Sequence, residues 1–158
     1  MVRHLRSSGR ERIAMIAGPL DTHGGRYRLE GYRAELSERF DERLVAYGDY
    51  SAKSGALAMA ELLDWAPDLD AVFAASDLMA SGALATLRAR GLRVPDDIAV
   101  AGFDDSGLAE TLDPPLTTMH QPFDRISAEM VTVLLDIIGG APRRSVTLPA
   151  DLVIRAST

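Results

Sequence analysis

The chain has 158 residues, a formal net charge of −6, 47% hydrophobic and 25% charged residues, and no cysteine. This is one ordinary domain with enough apolar material for a real core, and the mix argues against disorder. Disulfides, thiol nucleophiles and cysteine-bound zinc are excluded, and no stretch approaches the roughly 18 apolar residues that cross a bilayer.

In chain order, residues 1–6 have neither an apolar core nor a small-residue cleavage site, which argues against a secretory signal and for a cytoplasmic protein. Residues 13–17 form a continuous apolar run ending at Gly18 and Pro19, the pattern of a strand covered on both faces. A turn-rich loop follows, Asp21 to Gly25. Leu29, Tyr32, Leu36 and Phe40 then recur at helical spacing, with charged residues between them. The unit repeats. Residues 44–47 read as a second strand, and Ser51 is placed to cap a helix with Ala52, Ala56, Met59, Ala60 and Leu63 as its inner stripe. Residues 70–75 read as a third strand. Ser76 or Asp77 caps a third helix with Ala80, Ala83, Leu84 and Leu87 inward and Gly91 past its end. Residues 98–103 read as a fourth strand, with Asp104 and Asp105 at its end. Residues 116–119 read as a fifth, interrupted by Gln121 and Pro122. A strong helix spans 123–139, with Ile126, Met130, Val133, Leu134 and Ile137 on a wide apolar stripe that needs a cover. Residues 145–148 and 152–154 are β-rich.

Alternating apolar strands and helices predict an α/β fold: a doubly wound parallel sheet of five strands in the flavodoxin-like order 2-1-3-4-5. In such sheets ligands bind beyond the carboxyl ends of the strands. The polar residues there are Asp21, Thr22 and His23 after the first strand with Arg26 and Arg28 in the first turn of the helix, Asp49 and Tyr50, Ser76 and Asp77, and Asp104 and Asp105. Carboxylates and a guanidinium bond to hydroxyls and an aromatic ring packs on C–H faces, so the set suits a neutral polyol. Plainer roles compete: Ser76 and Asp77 also suit a helix cap, Asp49 a turn, Tyr50 a pocket wall and Arg28 a solvated helix face, while Asp105 is expected to face solvent or cap the next short helix. Asp104 is harder to dismiss, because a charge directly after a buried strand needs a reason.

Catalytic patterns are sparse. His4, His23 and His120 are scattered, no Gly-x-Ser-x-Gly elbow occurs, and neither a Walker loop nor Gly-x-Gly-x-x-Gly follows a strand. The expectation is a non-enzyme without a cofactor. A chain that grips duplex DNA unaided carries a basic surface, and this one is acidic.

Six stretches, residues 12–18, 25–32, 48–50, 71–80 with 82–84, 91–105 and 115–122, read in order, resemble the effector-binding region of LacI/GalR-family transcription regulators. The resemblance implies a periplasmic-binding-protein-like fold of two α/β lobes around a cleft, of which this chain is mainly the C-terminal lobe. Residues 1–119 would form that lobe, residues 120–141 a crossover and a helix belonging to the other lobe, and residues 142–158 the returning strands. It further implies a homodimer, and operator DNA read through a helix-turn-helix that these residues lack. The effector contacts in this lobe map onto Arg28, Tyr50, Ser76, Asp77 and Asp104, with Gln121 near the crossover. The implied effector is a small polar metabolite, a carbohydrate first of all. Many members carry asparagine where this chain has Ser76; serine lacks the amide's paired donor and acceptor, which fits a sugar other than the family's best-known ones. The alternatives are a periplasmic-class sugar-binding protein and a small flavodoxin-like enzyme.

Overall fold

The computed structural model describes residues 1–158. Its elements are α1 (Val2–Ser7), β1 (Ile13–Ala17), α2 (His23–Leu36), β2 (Val45–Tyr47), α3 (Ala52–Trp65), β3 (Ala71–Ala74), α4 (Asp77–Ala89), β4 (Ala99–Ala101), α5 (Leu108–Thr111), β5 (Thr118–His120), α6 (Phe123–Ile138) and β6 (Asp151–Val153). Four strands form a parallel sheet in the order β2-β1-β3-β4. β1 pairs toward β2 on one side and β3 on the other, so right-handed crossovers put α2 on one face and α3 and α4 on the opposite one. That explains why every residue of β1, β3 and β4 is buried and why the strands read as unbroken apolar runs.

The expected fifth strand takes its expected place beside β4, but the ladder is divided between two segments. Ser157 occupies the slot at Val100: Val100 N–H donates to the Ser157 carbonyl (2.8 Å), and the Ser157 hydroxyl donates to the Val100 carbonyl (2.6 Å). Thr117 takes over at Gly102, whose N–H donates to its carbonyl (2.9 Å). Only the isolated bridges Ala101–Thr117 and Asp104–His120 therefore join β5 to β4, and β5 pairs instead with β6, antiparallel.

Other expectations need correction. Phe40 lies outside α2; the helix stops at Leu36 and a 3-10 turn over Ser37–Arg39 swings the chain, leaving the Phe40 ring edge-on to Tyr32. The buried stripe of α3 is Gly55, Ala58, Met59, Leu62 and Leu63, turned from the predicted one. The cause is its neighbour α4. A Cβ on Gly55 would lie 2.2 Å from the Met79 carbonyl, and one on Gly82 would lie 1.9 Å from the Ala52 carbonyl. The two helices touch backbone to backbone through these glycines, and that contact sets the face of α3. Residues 145–148 form no strand; Val146 and Leu148 instead flank α6. No residue of α6 is buried, and Met130, Val131, Leu134, Leu135 and Ile138 are all exposed.

Candidate functional site

The carboxyl ends of β1 to β4 open on one rim, and the folding of each strand end decides what reaches it. After β1, Thr22 caps α2 by accepting from Gly25 N–H (3.0 Å), and one turn on α2 carries Arg28 toward the ends of β3 and β4. The Arg28 Nη1 donates to the Ala75 carbonyl (2.7 Å). Its guanidinium lies 3.8 Å over the Phe103 ring, within cation–π range. Its Nη2 stands 3.7 Å from Asp104 Oδ1. The same Oδ1 accepts from Gln121 Nε2 (2.6 Å). Asp104 holds its place through backbone bonds to β5: its N–H donates to the Met119 carbonyl (2.9 Å), and Gln121 N–H donates to the Asp104 carbonyl (3.1 Å). Burial pushes the Asp104 carboxyl above its ordinary range, against the pull of Arg28 and Gln121.

Tyr50 completes the rim from β2. Its backbone is left-handed, with φ of 70°. The Asp49 carboxylate accepts from Ser51 N–H (2.9 Å) across this turn, and bonds from Ser51 and Ser54 hold that carboxyl down to about 2. Asp49 is thus an ordinary turn residue that positions Tyr50. The Tyr50 ring lies where a Cβ on Gly18 would stand, 2.4 Å from its Cζ, and its hydroxyl is 3.3 Å from Thr22 Oγ1. A Cβ on Gly24 would be 3.8 Å from both the Tyr50 hydroxyl and Arg28 Nη2. Arg28, Tyr50, Asp104 and Gln121 therefore share one rim.

Ser76 and Asp77 are buried, and their side-chain oxygens are already taken as acceptors within the chain. Ser76 caps α4 through Met79 N–H (3.2 Å). Asp77 is 1% exposed; its Oδ1 accepts from Thr118 Oγ1 (2.6 Å) and its Oδ2 from Ser106 N–H (2.9 Å). Burial raises its carboxyl, too. The helix-capping reading describes Ser76, whereas Asp77, the first residue of α4, acts as an inward strut beneath the rim.

Sequence reasoning missed Phe103, the platform for Arg28, and Arg155, which donates to Asp105 Oδ1 (2.8 Å) just behind Asp104. Phe103 carried a usable signal, an aromatic next to a strand-end carboxylate. Arg155 carried none, being 50 residues away from its partner. The Arg28–Phe103 stack also borders a groove of about 430 Å³ shared with Tyr27 and Met119. No group of three His, Asp or Glu side chains is placed to hold a metal ion, and no helix is long and apolar enough to cross a membrane.

The periplasmic binding protein-like domain model matches residues 2–158. The chain is 49% identical over 160 residues to the HTH-type transcriptional regulator CelR of Thermobifida fusca, covering 98% of this chain and 47% of that protein. It is 40% identical over 162 residues to the HTH-type transcriptional repressor CytR of Escherichia coli K12, covering 99% and 48%. Among solved structures, a CelR–cellobiose complex superposes with a TM-score of 0.95 at 50% identity, covering 99% of this chain and 49% of that one. A lac repressor bound to ONPG superposes at 0.92 with 36% identity, covering 99% and 48%. The chain thus spans about half the length of the regulators it matches. These relatives are transcriptional regulators, not enzymes. The chain belongs to the periplasmic binding protein-like domain family and corresponds to the effector-binding portion of a LacI/GalR-type regulator.

Proposed function

We propose that this chain is one jaw of a sugar sensor that controls a transcription regulator in the cytoplasm and has no catalytic role. The observation that carries the reading is the cluster of Arg28, Asp104 and Gln121 on one rim with Tyr50 beside it. Asp104 accepts from sugar hydroxyls, Arg28 donates to them, and the Tyr50 ring packs on a C–H face. Asp77 and Ser76 support this rim from below. The cellobiose in the complex of the 50%-identical relative makes a β-linked disaccharide the first effector to try.

The crossover at 120–122 leads into α6, whose wide apolar stripe is only flanked by Val146 and Leu148 and stays largely exposed. We assign residues 1–119 to one lobe and α6 to the other lobe, with residues 142–158 returning. Effector bridges both lobes, narrows the cleft and shifts the population between two lobe angles, and a dimer carries that change to DNA-binding headpieces outside this chain. Half a cleft supplies half the contacts, so the chain by itself binds effector weakly. The test is Asp104→Ala in the full-length regulator: cellobiose should no longer change operator affinity, while thermal unfolding and basal operator binding stay as in the parent. An unaltered cellobiose response removes Asp104 from the site and the reading with it.

A further inference from the structure

Asp104 and Asp105 both stand in left-handed backbone, with φ of 121° and 55°. Consecutive non-glycine residues there are unfavourable, and persist only where their surroundings hold them. Two brackets do so. Below, Asp77 takes Ser106 N–H and the Thr118 hydroxyl. Behind, the Asp105 carboxylate takes Arg155 Nη2 (2.8 Å) on one oxygen and faces His120 Nδ1 (3.0 Å) with the other. Arg155 also donates through Nη1 to the Leu116 carbonyl (2.9 Å), and its N–H donates to Thr117 Oγ1 (2.9 Å). The Arg155 and Asp105 side chains are only 14% and 16% exposed, so this pair is shielded from water. Both brackets end on β5 or the residues leading into it, and β5 is the strand that delivers Gln121.

We infer that Asp105 and Arg155 are positioning residues: they lock the turn after β4 to β5 so that Asp104 and Gln121 meet, making the carboxyl-terminal segment part of the scaffold of the rim. This rests on reading that rim as the effector site. Without the rear bracket the turn relaxes toward ordinary backbone, and the Asp104 carboxylate leaves Gln121.

The sequence supplies a reporter that needs no ligand. Gln121 is the only glutamine, and there is no asparagine. A 15N-labelled sample of this chain therefore shows a single carboxamide NH2 pair, and Asp104→Ala marks its position when the bond to Asp104 is lost. Asp105→Ala and Arg155→Met should move the pair to that position with backbone dispersion retained. Arg155→Lys, which keeps the charge, should leave it part-way. Arg88→Met, which breaks an exposed ion pair with Asp113 away from the rim, should leave it unmoved. If the two stronger variants fail to fold, Arg155→Lys decides alone. A Gln121 pair that keeps its parental shifts in the bracket variants overturns the inference, and so does an Arg88→Met variant that shifts it equally. Neither result touches the sugar reading, which fails separately if Asp104→Ala leaves the full-length cellobiose response intact.

Discussion

Truncating Asp77 to alanine strips the acceptor from two short bonds in a buried site, from the Thr118 hydroxyl at 2.6 Å and Ser106 N–H at 2.9 Å, and from a long one, the Ser106 hydroxyl at 3.4 Å. Hydrogen bonds to a charged group contribute about 1.5–3 kcal/mol each. Against this stands the carboxylate's own burial, which its raised pKa reports. The net expectation is a loss of about 3 kcal/mol, which for a chain of this size lowers the melting temperature by roughly 6–12 °C. Asp77→Asn should behave differently. Its carbonyl oxygen accepts from Ser106 N–H, and the Thr118 hydroxyl can turn round to accept from its amide, so both bonds survive and the buried charge goes. We expect a change within about 1 kcal/mol. The pH dependence follows from the same group. Folded Asp77 holds its proton more tightly than unfolded Asp77, so its favourable contribution exists at low pH and is lost as pH rises from the unfolded value through the folded one. Relative to the parent, the asparagine variant should therefore gain stability as pH climbs above the ordinary carboxylate range, then level off. Urea unfolding followed by circular dichroism at several pH values measures all three. An asparagine variant as damaging as alanine, or an alanine variant within 1 kcal/mol of the parent, refutes the strut.

Gly82→Ala would set a methyl 1.9 Å from the Ala52 carbonyl and force α3 from α4; urea midpoints should show a loss at or above the 1–3 kcal/mol of ordinary overpacking, about 3 kcal/mol. Gly18→Ala meets the movable Tyr50 ring instead of backbone; it should lower stability by only about 1 kcal/mol while weakening cellobiose binding by the full-length regulator in calorimetry. Two charges on the α6 stripe, Met130→Glu with Leu134→Glu, should lower the weight-average mass of this chain in sedimentation, because the exposed apolar face drives self-association; an unchanged mass would place the contact elsewhere.

Local pattern carried much of this fold into the sequence. Apolar runs marked β1, β3 and β4, and Ser51 and Ser76 announced the caps they make. Arg28, Tyr50 and Asp104 were legible because the carboxyl edge of a parallel sheet gathers whatever follows its strands. What stayed hidden depends on partners distant in the chain. Nothing near Ser157 tells that it replaces a strand residue at Val100, and nothing near Asp77 tells that it turns in toward Thr118 rather than out to the rim. Helical spacing alone left the α3 stripe misjudged, since the glycine contact with Met79 and Ala52 selects the face.

The wedging of Ser157 into the β4 ladder also bears on how the molecule can be handled. Ser157 is fully buried, and the Thr158 hydroxyl sits 2.9 Å from both Thr117 Oγ1 and His4 Nε2. Whatever is joined beyond Thr158, an affinity tag or a fluorescent fusion, leaves the surface one residue from a seam that ties the last residues to β4 and to α1. Labels are better placed on the outer side of α3, at Lys53, where the side chain points into water.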